Sequence, residues 1–171
     1  MKCLQMVIHD LDEEMFLKIT VWDGHGKIIC ADGKYAACKG CLKCWLKNPG
    51  YCVMADALQY VAEAIGTSNE IVIISQICYG GYSSTIKNIL DRSIGMSLPF
   101  FTYRGGRTHH IRRYRRRQLL RVYFYGDCTP WEREIAQELV ESNRVNFGFE
   151  KAETFFVKNA SALKEVRWCT Q

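Results

Sequence analysis

The sequence has no apolar run that approaches the roughly 20 residues of a membrane-spanning helix. It also lacks the basic segment, apolar stretch and small-residue cleavage site of a secretory signal. Internal repeats and low-complexity linkers are absent as well. These absences predict a cytoplasmic protein without membrane segments. The 171 residues suffice for one domain, residues 1–171, with a full hydrophobic core.

Acidic residues are missing from residues 104–121, which contain eight arginines. The whole chain has a formal net charge of +5, so the remainder carries −3, the difference between +5 and +8. This is a basic patch on an acidic body, unlike the uniform positive charge of many nucleic-acid-binding proteins. We therefore interpret the run from Arg112 to Arg117 as a subunit or anion contact, including a clamp for a cofactor phosphate, in preference to a nucleic-acid contact.

Disulfides are not expected without a secretory signal, so the nine cysteines are interpreted as thiols, metal ligands or redox groups. Four of them are closely spaced, at Cys38, Cys41, Cys44 and Cys52. Compact runs of cysteine thiolates hold iron–sulfur clusters, so a 4Fe-4S cluster is one interpretation. Zinc, which more often pairs two separated knuckles, and thiols that bind no metal are the others. The spacing alone does not decide among these three interpretations.

Short apolar runs alternate with helical patterns along the chain. Strands are predicted at residues 2–9, 27–31, 71–75, 119–125 and 153–158, with residues 19–22 as the other position for the second strand. Helices are predicted to begin at Asp10 or Asp12, at Asp56 (ending at Gly66), at Ser83 or Ser84, at Thr129-Pro130 with Glu132, and at Ala160, the last running to Trp168. This alternation predicts an α/β fold with a five-stranded parallel sheet of order 2-1-3-4-5.

Ligands of such sheets bind at the carboxyl ends of the strands, near the point where the strand order reverses. The loop after the central strand lies there and contains Tyr79, Gly80 and Gly81. Glycines let backbone N–H groups approach a flat or anionic ligand closely. The other interpretation of this loop is a plain strand-to-helix turn in which the glycines serve only the backbone geometry.

The sequence also supports predictions for residues 96–118, for two adjacent histidines and for three charged residues after the central strand. Residues 96–118 are predicted to form a long crossover, and such connections are typical of lids, binding loops or disordered segments. His109 and His110 are interpreted as polar loop residues in preference to metal ligands. Lys87 is placed on the surface, and Asp91 and Arg92 are interpreted as an ion pair at a helix end.

The motifs Cys38-x2-Cys41-x2-Cys44, Pro49-Gly50-x-Cys52, Ser75-x3-Tyr79-Gly80-Gly81-x-Ser83, Lys87 and Asp91-Arg92-Ser93 together resemble the flavodoxin-like NADPH-dependent FMN reductase family. Relatives of that family include the iron–sulfur flavoproteins. The resemblance covers residues 38–95 by motif and the rest by topology. It implies a flavodoxin-like three-layer sandwich, FMN as prosthetic group, NAD(P)H as electron donor, a small-molecule substrate or electron acceptor, and a homodimer or homotetramer.

By this resemblance, the loop after the central strand and the loop at Gly126 flank the flavin ring. The residues carried over as cofactor-binding are Ser75, Gln76, Ile77, Cys78, Tyr79, Gly80, Gly81, Ser83 and Gly126. No residue is assigned as catalytic acid or base, because the flavin supplies the redox chemistry. If a 4Fe-4S cluster is present, the resemblance implies Cys38, Cys41, Cys44 and Cys52 as its ligands.

The sequence departs from the family in two places. After the first strand the family has a Gly/Ser-rich phosphate loop, whereas this chain has His9-Asp10-Leu11-Asp12-Glu13-Glu14, whose carboxylates repel a phosphate. Gln76 stands where the family commonly has proline. Three hypotheses follow: an FMN-dependent NAD(P)H oxidoreductase, which is favoured; an iron–sulfur flavoprotein for electron transfer; and a flavodoxin-like module that has lost flavin binding.

Overall fold

The computed structural model describes residues 5–19, 26–114 and 117–165. Its strands are β1 (Gln5–His9), β2 (Lys27–Cys30), β3 (Glu70–Gln76), β4 (Ser97–Arg104), β5 (Arg107–Arg112), β6 (Leu119–Tyr125) and β7 (Lys151–Val157). Its α-helices are α1 (Glu13–Ile19), α2 (Lys43–Leu46), α3 (Val61–Thr67), α4 (Ser84–Arg92) and α5 (Pro130–Phe147). Two 3-10 turns follow at Ser93–Met96 and Ala160–Glu165.

Five strands form one parallel sheet in the order β2-β1-β3-β6-β7. Counted among these five strands alone, the order is the predicted 2-1-3-4-5. The second strand occupies the favoured position, while Ile19 ends α1 and residues 20–22 of the other position lie outside the described residues. The predicted α/β fold is thereby confirmed.

The central strand β3 is apolar on both faces because both faces are covered. Ile71 and Ile73 belong to the core cluster that α3, α4 and α5 complete. Val72 and Ile74 pack on the opposite face, against α1 and Leu163. This three-layer arrangement explains why the strand reads as a continuous apolar run rather than an alternating one.

Helix α5 begins as the sequence predicts. The Thr129 hydroxyl accepts a hydrogen bond from the Glu132 amide at 3.2 Å, and the Glu132 carboxylate accepts one from the Thr129 amide at 2.8 Å. Pro130 occupies the first turn, and Gly148 ends the helix with a φ of 74°. A cap of this kind stabilises a helix by about 1 kcal/mol.

Helix α3 begins five residues later than predicted. Asp56 does not open it; the Asp56 carboxylate instead accepts the Leu58 amide at 3.0 Å and pairs with Arg92. Gly66 does not end it either, because Gly66 lies inside the helix and the Tyr114 ring packs directly against its Cα. The predicted Asp91–Arg92 pair is also wrong, since Asp91 pairs with Lys87.

The predicted long crossover contains regular structure. Residues 97–112 form an antiparallel hairpin of β4 and β5, joined at Gly105 and Gly106. His109 and His110 lie in β5 rather than in a loop, and His109 is buried. Among the described helices, none is long and apolar enough to cross a membrane.

The other predicted boundaries shift by a few residues. Asp12, one of the two candidates, caps α1 through a 2.7 Å bond from the Met15 amide. Ser83 caps α4, and Ile94 falls in the 3-10 turn beyond that helix. The predicted terminal helix is a 3-10 turn over Ala160–Glu165, and residues 166–168 lie outside the described residues.

Candidate functional site

The ends of β1, β3 and β6 meet at the carboxyl edge of the sheet, where the strand order reverses. The Asp10 carboxylate follows β1 and accepts the Gln76 amide at 3.0 and 3.2 Å. The Tyr125 hydroxyl, from the end of β6, donates to the same carboxylate at 3.0 Å. Three neighbouring strands are therefore joined at their ends by one acidic side chain.

The loop after β3 is a tight turn that projects from this edge. The Cys78 amide donates to the Gly81 carbonyl at 2.9 Å, and the Gly81 amide donates back to Cys78 at 2.8 Å. Tyr79 and Gly80 between them have φ values of 51° and 77°. Two central residues with positive φ define a type I′ turn. The Tyr79 side chain at its tip is 94 % exposed.

Gly80 is required where the turn meets helix α5. A Cβ at this position would lie 2.9 Å from the Ile135 side chain and 3.0 Å from the Glu132 carbonyl. A Cβ at Gly81 would meet only ordinary contacts, the shortest of 3.5 Å to the Cys78 carbonyl. The close approach of the turn to α5 thus depends on Gly80, which fixes the height of the turn above the sheet.

Ser75 and Ser83 hold the two ends of the loop together. The buried Ser75 hydroxyl accepts the Ser83 amide at 2.9 Å and donates to the Gln76 carbonyl at 2.9 Å. Ser83 then caps α4 by accepting the Ile86 amide. Both hydroxyls therefore stabilise the loop itself, so Ser75 and Ser83 act as supports of the site.

Gly126 lies beside the loop, as the resemblance implies. A Cβ on Gly126 would be 3.6 Å from the Ile77 side chain and 4.0 Å from that of Gln76. The Ile77 amide donates to the Tyr125 carbonyl at 3.0 Å, which extends the pairing of β3 with β6. All nine carried-over residues are thus collected at one edge of the sheet.

Asp10 and Tyr125 were not among the site residues taken from the sequence. Burial, and then the neighbouring Asp10 carboxylate, raise the pKa of the Tyr125 phenol, so it remains a hydrogen-bond donor at neutral pH. The available signal was positional: Asp10 directly follows the first strand, and Tyr125 directly precedes Gly126. Residues at the carboxyl ends of neighbouring parallel strands are expected to converge.

The edge presents an exposed aromatic side chain at the turn and acidic side chains near the start of α1. At the tip of the turn the Tyr79 ring is exposed to solvent. One amide at the start of α1 and one at the end of β3 are already occupied, because Asp12 accepts the Met15 amide and Asp10 accepts that of Gln76. His9, beside them, has its pKa lowered to about 4 by burial and is uncharged at neutral pH.

Three described arginines of the run from Arg112 to Arg117 make their contacts at the opposite edge of the sheet. Arg112 donates to the Gly148 carbonyl, and Arg117 pairs with Glu150, both just before β7 begins. Arg113 donates to the Gly95 carbonyl at 2.9 Å. Because all five strands are parallel, the start of β7 marks the amino edge. These three arginines therefore make their contacts at the amino edge of their own chain, and Arg112 also lines the cavity that Gly81 and Tyr82 border.

The cysteine block, residues 38–52, packs beside the end of α4. Its two ends are fixed by Arg92, whose guanidinium donates to the Ala36 carbonyl at 2.9 Å and to both Asp56 oxygens at 2.6 and 2.7 Å. Within the block, Cys44 packs against Gly95. Arg92 thus positions the whole segment that carries the closely spaced thiols.

The four thiols lie near one another without forming a closed site. Burial raises the pKa of the Cys44 thiol, and Cys52, Cys38 and Cys41 add smaller contributions. Cys38 and Cys41 are exposed, whereas Cys44 and Cys52 are partly buried. In the part of the chain that the structure describes, no three His, Cys, Asp or Glu side chains form a group that could hold a metal ion. A cluster does not fit this arrangement as it stands.

A half-open cavity of about 740 Å³ lies beside the loop, between α4 and α5. Most of its lining is apolar, including Leu90, Leu139 and Phe147. The Tyr82 hydroxyl on its wall accepts the Asn143 amide at 3.1 Å, and burial raises the pKa of that phenol to about 12. This apolar surface continues toward the β4–β5 hairpin through Met96 and His110.

The sequence matches no protein-family model and no curated protein. Solved structures do match. An FMN-dependent NADH-azoreductase from Bacillus anthracis in complex with FMN superposes with a TM-score of 0.59 at 13 % identity, over 96 % of this chain and 93 % of that one. An NAD(P)H:quinone oxidoreductase from Methanothermobacter marburgensis gives 0.59 at 12 % identity, over 96 % and 89 % of the two chains.

A third structure, an NADH:FMN oxidoreductase in its apo form, gives a TM-score of 0.54 at 12 % identity, over 94 % of this chain and 77 % of that one. These matches cover nearly the whole chain at low sequence identity. The chain therefore has the flavodoxin-like fold that it shares with these oxidoreductases.

Proposed function

We propose that this chain is a flavin-dependent NAD(P)H oxidoreductase of the FMN reductase type. The observation that carries the proposal is the rigid turn at Tyr79, which rises from the strand-order switch of a 2-1-3-4-5 sheet and leaves its aromatic tip uncovered. Doubly wound sheets bind their ligands at this switch point. The fold shared with FMN-dependent NADH-azoreductase and NAD(P)H:quinone oxidoreductase supports the same assignment.

The chain's own residues would seat and orient the ring. The loop from Ser75 to Ser83 would lie along one edge of it, with Gly126 at the other side. The uncovered face of Tyr79 suits contact with a flat conjugated ring. Because the loop is fixed by Gly80 under α5 and by the Ser75–Ser83 bond, little reordering is needed when a ligand arrives, which favours binding.

A bound flavin would supply the redox step, accepting a hydride from NAD(P)H and reducing a small-molecule acceptor. The protein would contribute orientation and backbone dipoles, and no side chain is assigned as acid or base. The pKa of the Tyr125 phenol is raised, so Tyr125 keeps its proton and donates it in a hydrogen bond to the Asp10 carboxylate. The acceptor would reach the ring from the open side of the Tyr79 turn.

Flavin binding is the first test of this function. The protein is purified, stripped of small molecules and titrated with flavin, and flavin fluorescence and NAD(P)H oxidation with a quinone or azo dye are followed. We expect saturable quenching and flavin-dependent turnover. The test variant is Tyr79→Ser, which removes the exposed ring and should weaken quenching while leaving the melting temperature unchanged. A protein that binds no flavin under any condition rejects the proposal.

We further infer a homodimer or homotetramer. Three aromatic side chains on the β4–β5 hairpin, Phe100, Phe101 and Tyr103, are exposed beside the apolar cavity of α4 and α5. Contiguous apolar surfaces of this kind mark interaction sites. Light scattering should report more than one chain per particle, and Phe100→Ser with Phe101→Ser should dissociate it. The control is Leu17→Ser, which replaces an exposed side chain of α1 and should leave the particle mass unchanged.

An iron–sulfur flavoprotein is the second candidate. The spacing of Cys38, Cys41, Cys44 and Cys52 suggests it, whereas the described side chains form no group of three ligands that could hold a metal ion. Anaerobic purification followed by iron and sulfide analysis tests it. Stoichiometric iron that disappears in Cys44→Ser would support a 4Fe-4S cluster, and iron-free protein with full flavin binding would exclude it.

A further inference from the structure

We propose that the site takes a flavin whose tail ends in a hydroxyl, as in riboflavin, in preference to the phosphate ester FMN. The inference rests on the proposed flavin-binding function and specifies which flavin is bound. It concerns the corner between β1, β3 and α1, where a mononucleotide phosphate is expected in a sheet of this order.

Two backbone donors at this corner are committed to the chain's own carboxylates. The Gln76 amide donates to both oxygens of Asp10, at 3.0 and 3.2 Å. The Met15 amide, in the first turn of α1, donates to Asp12 at 2.7 Å. A phosphate needs such N–H groups to replace its hydration. It would have to displace Asp10 or Asp12 to obtain them.

The charge of the corner also opposes a phosphate. Four carboxylates, those of Asp10, Asp12, Glu13 and Glu14, stand within five residues, and Asp32 follows β2 at the same edge. Lys18 pairs with Glu14, and Lys34 pairs with Asp32. His9 is neutral, with a pKa near 4. The described part of this corner is therefore net negative, and a phosphate dianion there is repelled.

The same carboxylates suit a chain of hydroxyl groups. A carboxylate has about four acceptor positions, and those of Asp10 are taken up by the Gln76 amide, the Tyr125 hydroxyl and the nearby Ser75 hydroxyl. The neighbouring carboxylates of Asp12 and Glu13 are exposed and offer further acceptor positions. A ribityl tail carries O–H donors, and a hydrogen bond from a hydroxyl to a carboxylate is stronger than one between neutral groups.

Three described arginines of the run from Arg112 to Arg117 make their contacts away from this corner. Arg112, Arg113 and Arg117 contact Gly148, Gly95 and Glu150, which places them at the amino edge of the sheet. The corner with Asp10 lies at the carboxyl edge. The cofactor-phosphate clamp considered from the sequence is thus not supported by these three arginines, and Arg115 and Arg116 lie outside the described residues.

The experiment compares riboflavin and FMN as ligands of the same stripped protein, by fluorescence quenching at low salt. We expect riboflavin to bind about tenfold more tightly than FMN, because an added like-charge contact of about 1.4 kcal/mol corresponds to that factor. The preference should shrink in about 1 M salt, where the screening length falls to roughly 3 Å.

Two variants test which residues are responsible. Asp10→Asn removes the charge and keeps a hydrogen-bond acceptor for Gln76, and Asp12→Ser keeps a helix cap. Each should shift the FMN-to-riboflavin affinity ratio toward FMN by several-fold, and the double variant by about tenfold or more. Glu150→Gln, in an exposed ion pair with Arg117 at the amino edge of the sheet, is the matched control and should leave the ratio unchanged.

The outcomes separate the two proposals. Riboflavin preference that the Asp10 and Asp12 variants erase supports this inference and the flavin function together. Equal or tighter binding of FMN by the unaltered protein overturns this inference while the flavin function stands. If neither flavin binds, the flavin function fails and this inference fails with it. Circular dichroism of each variant verifies that the fold is kept.

Discussion

Arg92 and Asp56 form a bidentate ion pair across 36 residues of chain, with N–O distances of 2.6 and 2.7 Å. The Arg92 side chain is fully buried and the Asp56 side chain is 23 % exposed. The guanidinium holds the pKa of the Asp56 carboxyl below its usual value. Through this pair and the Ala36 carbonyl, helix α4 fixes both ends of the cysteine block.

Replacing Arg92 by Leu should cost about 3 kcal/mol of unfolding free energy, because it leaves Asp56 without its partner in a largely enclosed place. Urea denaturation measures this loss. The Cys44 and Cys52 thiols should also react faster with a thiol reagent, since the segment is released. Lys87→Met breaks the exposed Lys87–Asp91 pair of the same helix and should cost less than about 1 kcal/mol. Equal losses in the two variants would contradict the assigned role.

Replacing Gly66 by Ala should destabilise the protein by about 1–3 kcal/mol, because the new methyl group would overlap the Tyr114 ring. Thermal unfolding reports the change. In the Tyr114→Ala background the overlap disappears, so the same Gly66→Ala substitution should become neutral or stabilising in the helix. A Gly66→Ala penalty of the same size in both backgrounds would show that the contact is not its cause.

Replacing Gly80 by Ala should raise the turn off α5, because its φ of 77° and the 2.9 Å approach to Ile135 both exclude a side chain. We expect a stability loss of about 1–3 kcal/mol and weaker flavin binding. Gly81→Ala is the matched control, since its Cβ would meet only ordinary contacts. The turn would lose its assigned importance if Gly80→Ala kept full flavin affinity.

His9 predicts a pH dependence of stability. It is 3 % exposed, it stacks on Phe16 with 3.9 Å between ring centroids, and burial lowers its pKa from 6.5 to about 4. Between these values the unfolded chain binds a proton that the folded chain does not. The contribution to stability is therefore complete above pH 6.5 and is lost as the pH falls toward 4.

The slope of unfolding free energy against pH from this histidine should reach at most about 1.4 kcal/mol per pH unit. Urea denaturation across this range measures it. His9→Gln removes the titrating group, so the slope should become flatter even if the variant is less stable at neutral pH. Parallel slopes for the two proteins would refute the assignment.

Local signals in the sequence predicted local structure well. The cap of α5 depends on Thr129, Pro130 and Glu132 alone, and it forms as predicted. The buried strand β3 was equally readable, because a parallel strand covered on both faces must be apolar throughout. The order of the five parallel strands followed from the alternation of such elements.

Distant partners decided what the sequence analysis missed. Asp56 resembles a helix cap in the sequence, but its carboxylate forms an ion pair with Arg92. Gly66 resembles a helix stop, but it lies within the helix and Tyr114 packs on it. The β4–β5 hairpin was missed because its strands do not alternate polar and apolar residues, although Gly105-Gly106 is a recognised turn signal. The Asp10–Gln76 bond was likewise invisible, since it joins residues 66 positions apart.

The parallel sheet also separates these described charges, with arginines at its amino edge and aspartates at its carboxyl edge. Since all its strands point the same way, Arg112, Arg113 and Arg117 gather at one pole while Asp10 and Asp12 stand at the other. On a cation exchanger the molecule would bind through Arg112, Arg113 and Arg117, and the loop at Tyr79 would face the solvent. Protein immobilised in this way should remain open to small dyes, whereas an anion exchanger would cover that mouth.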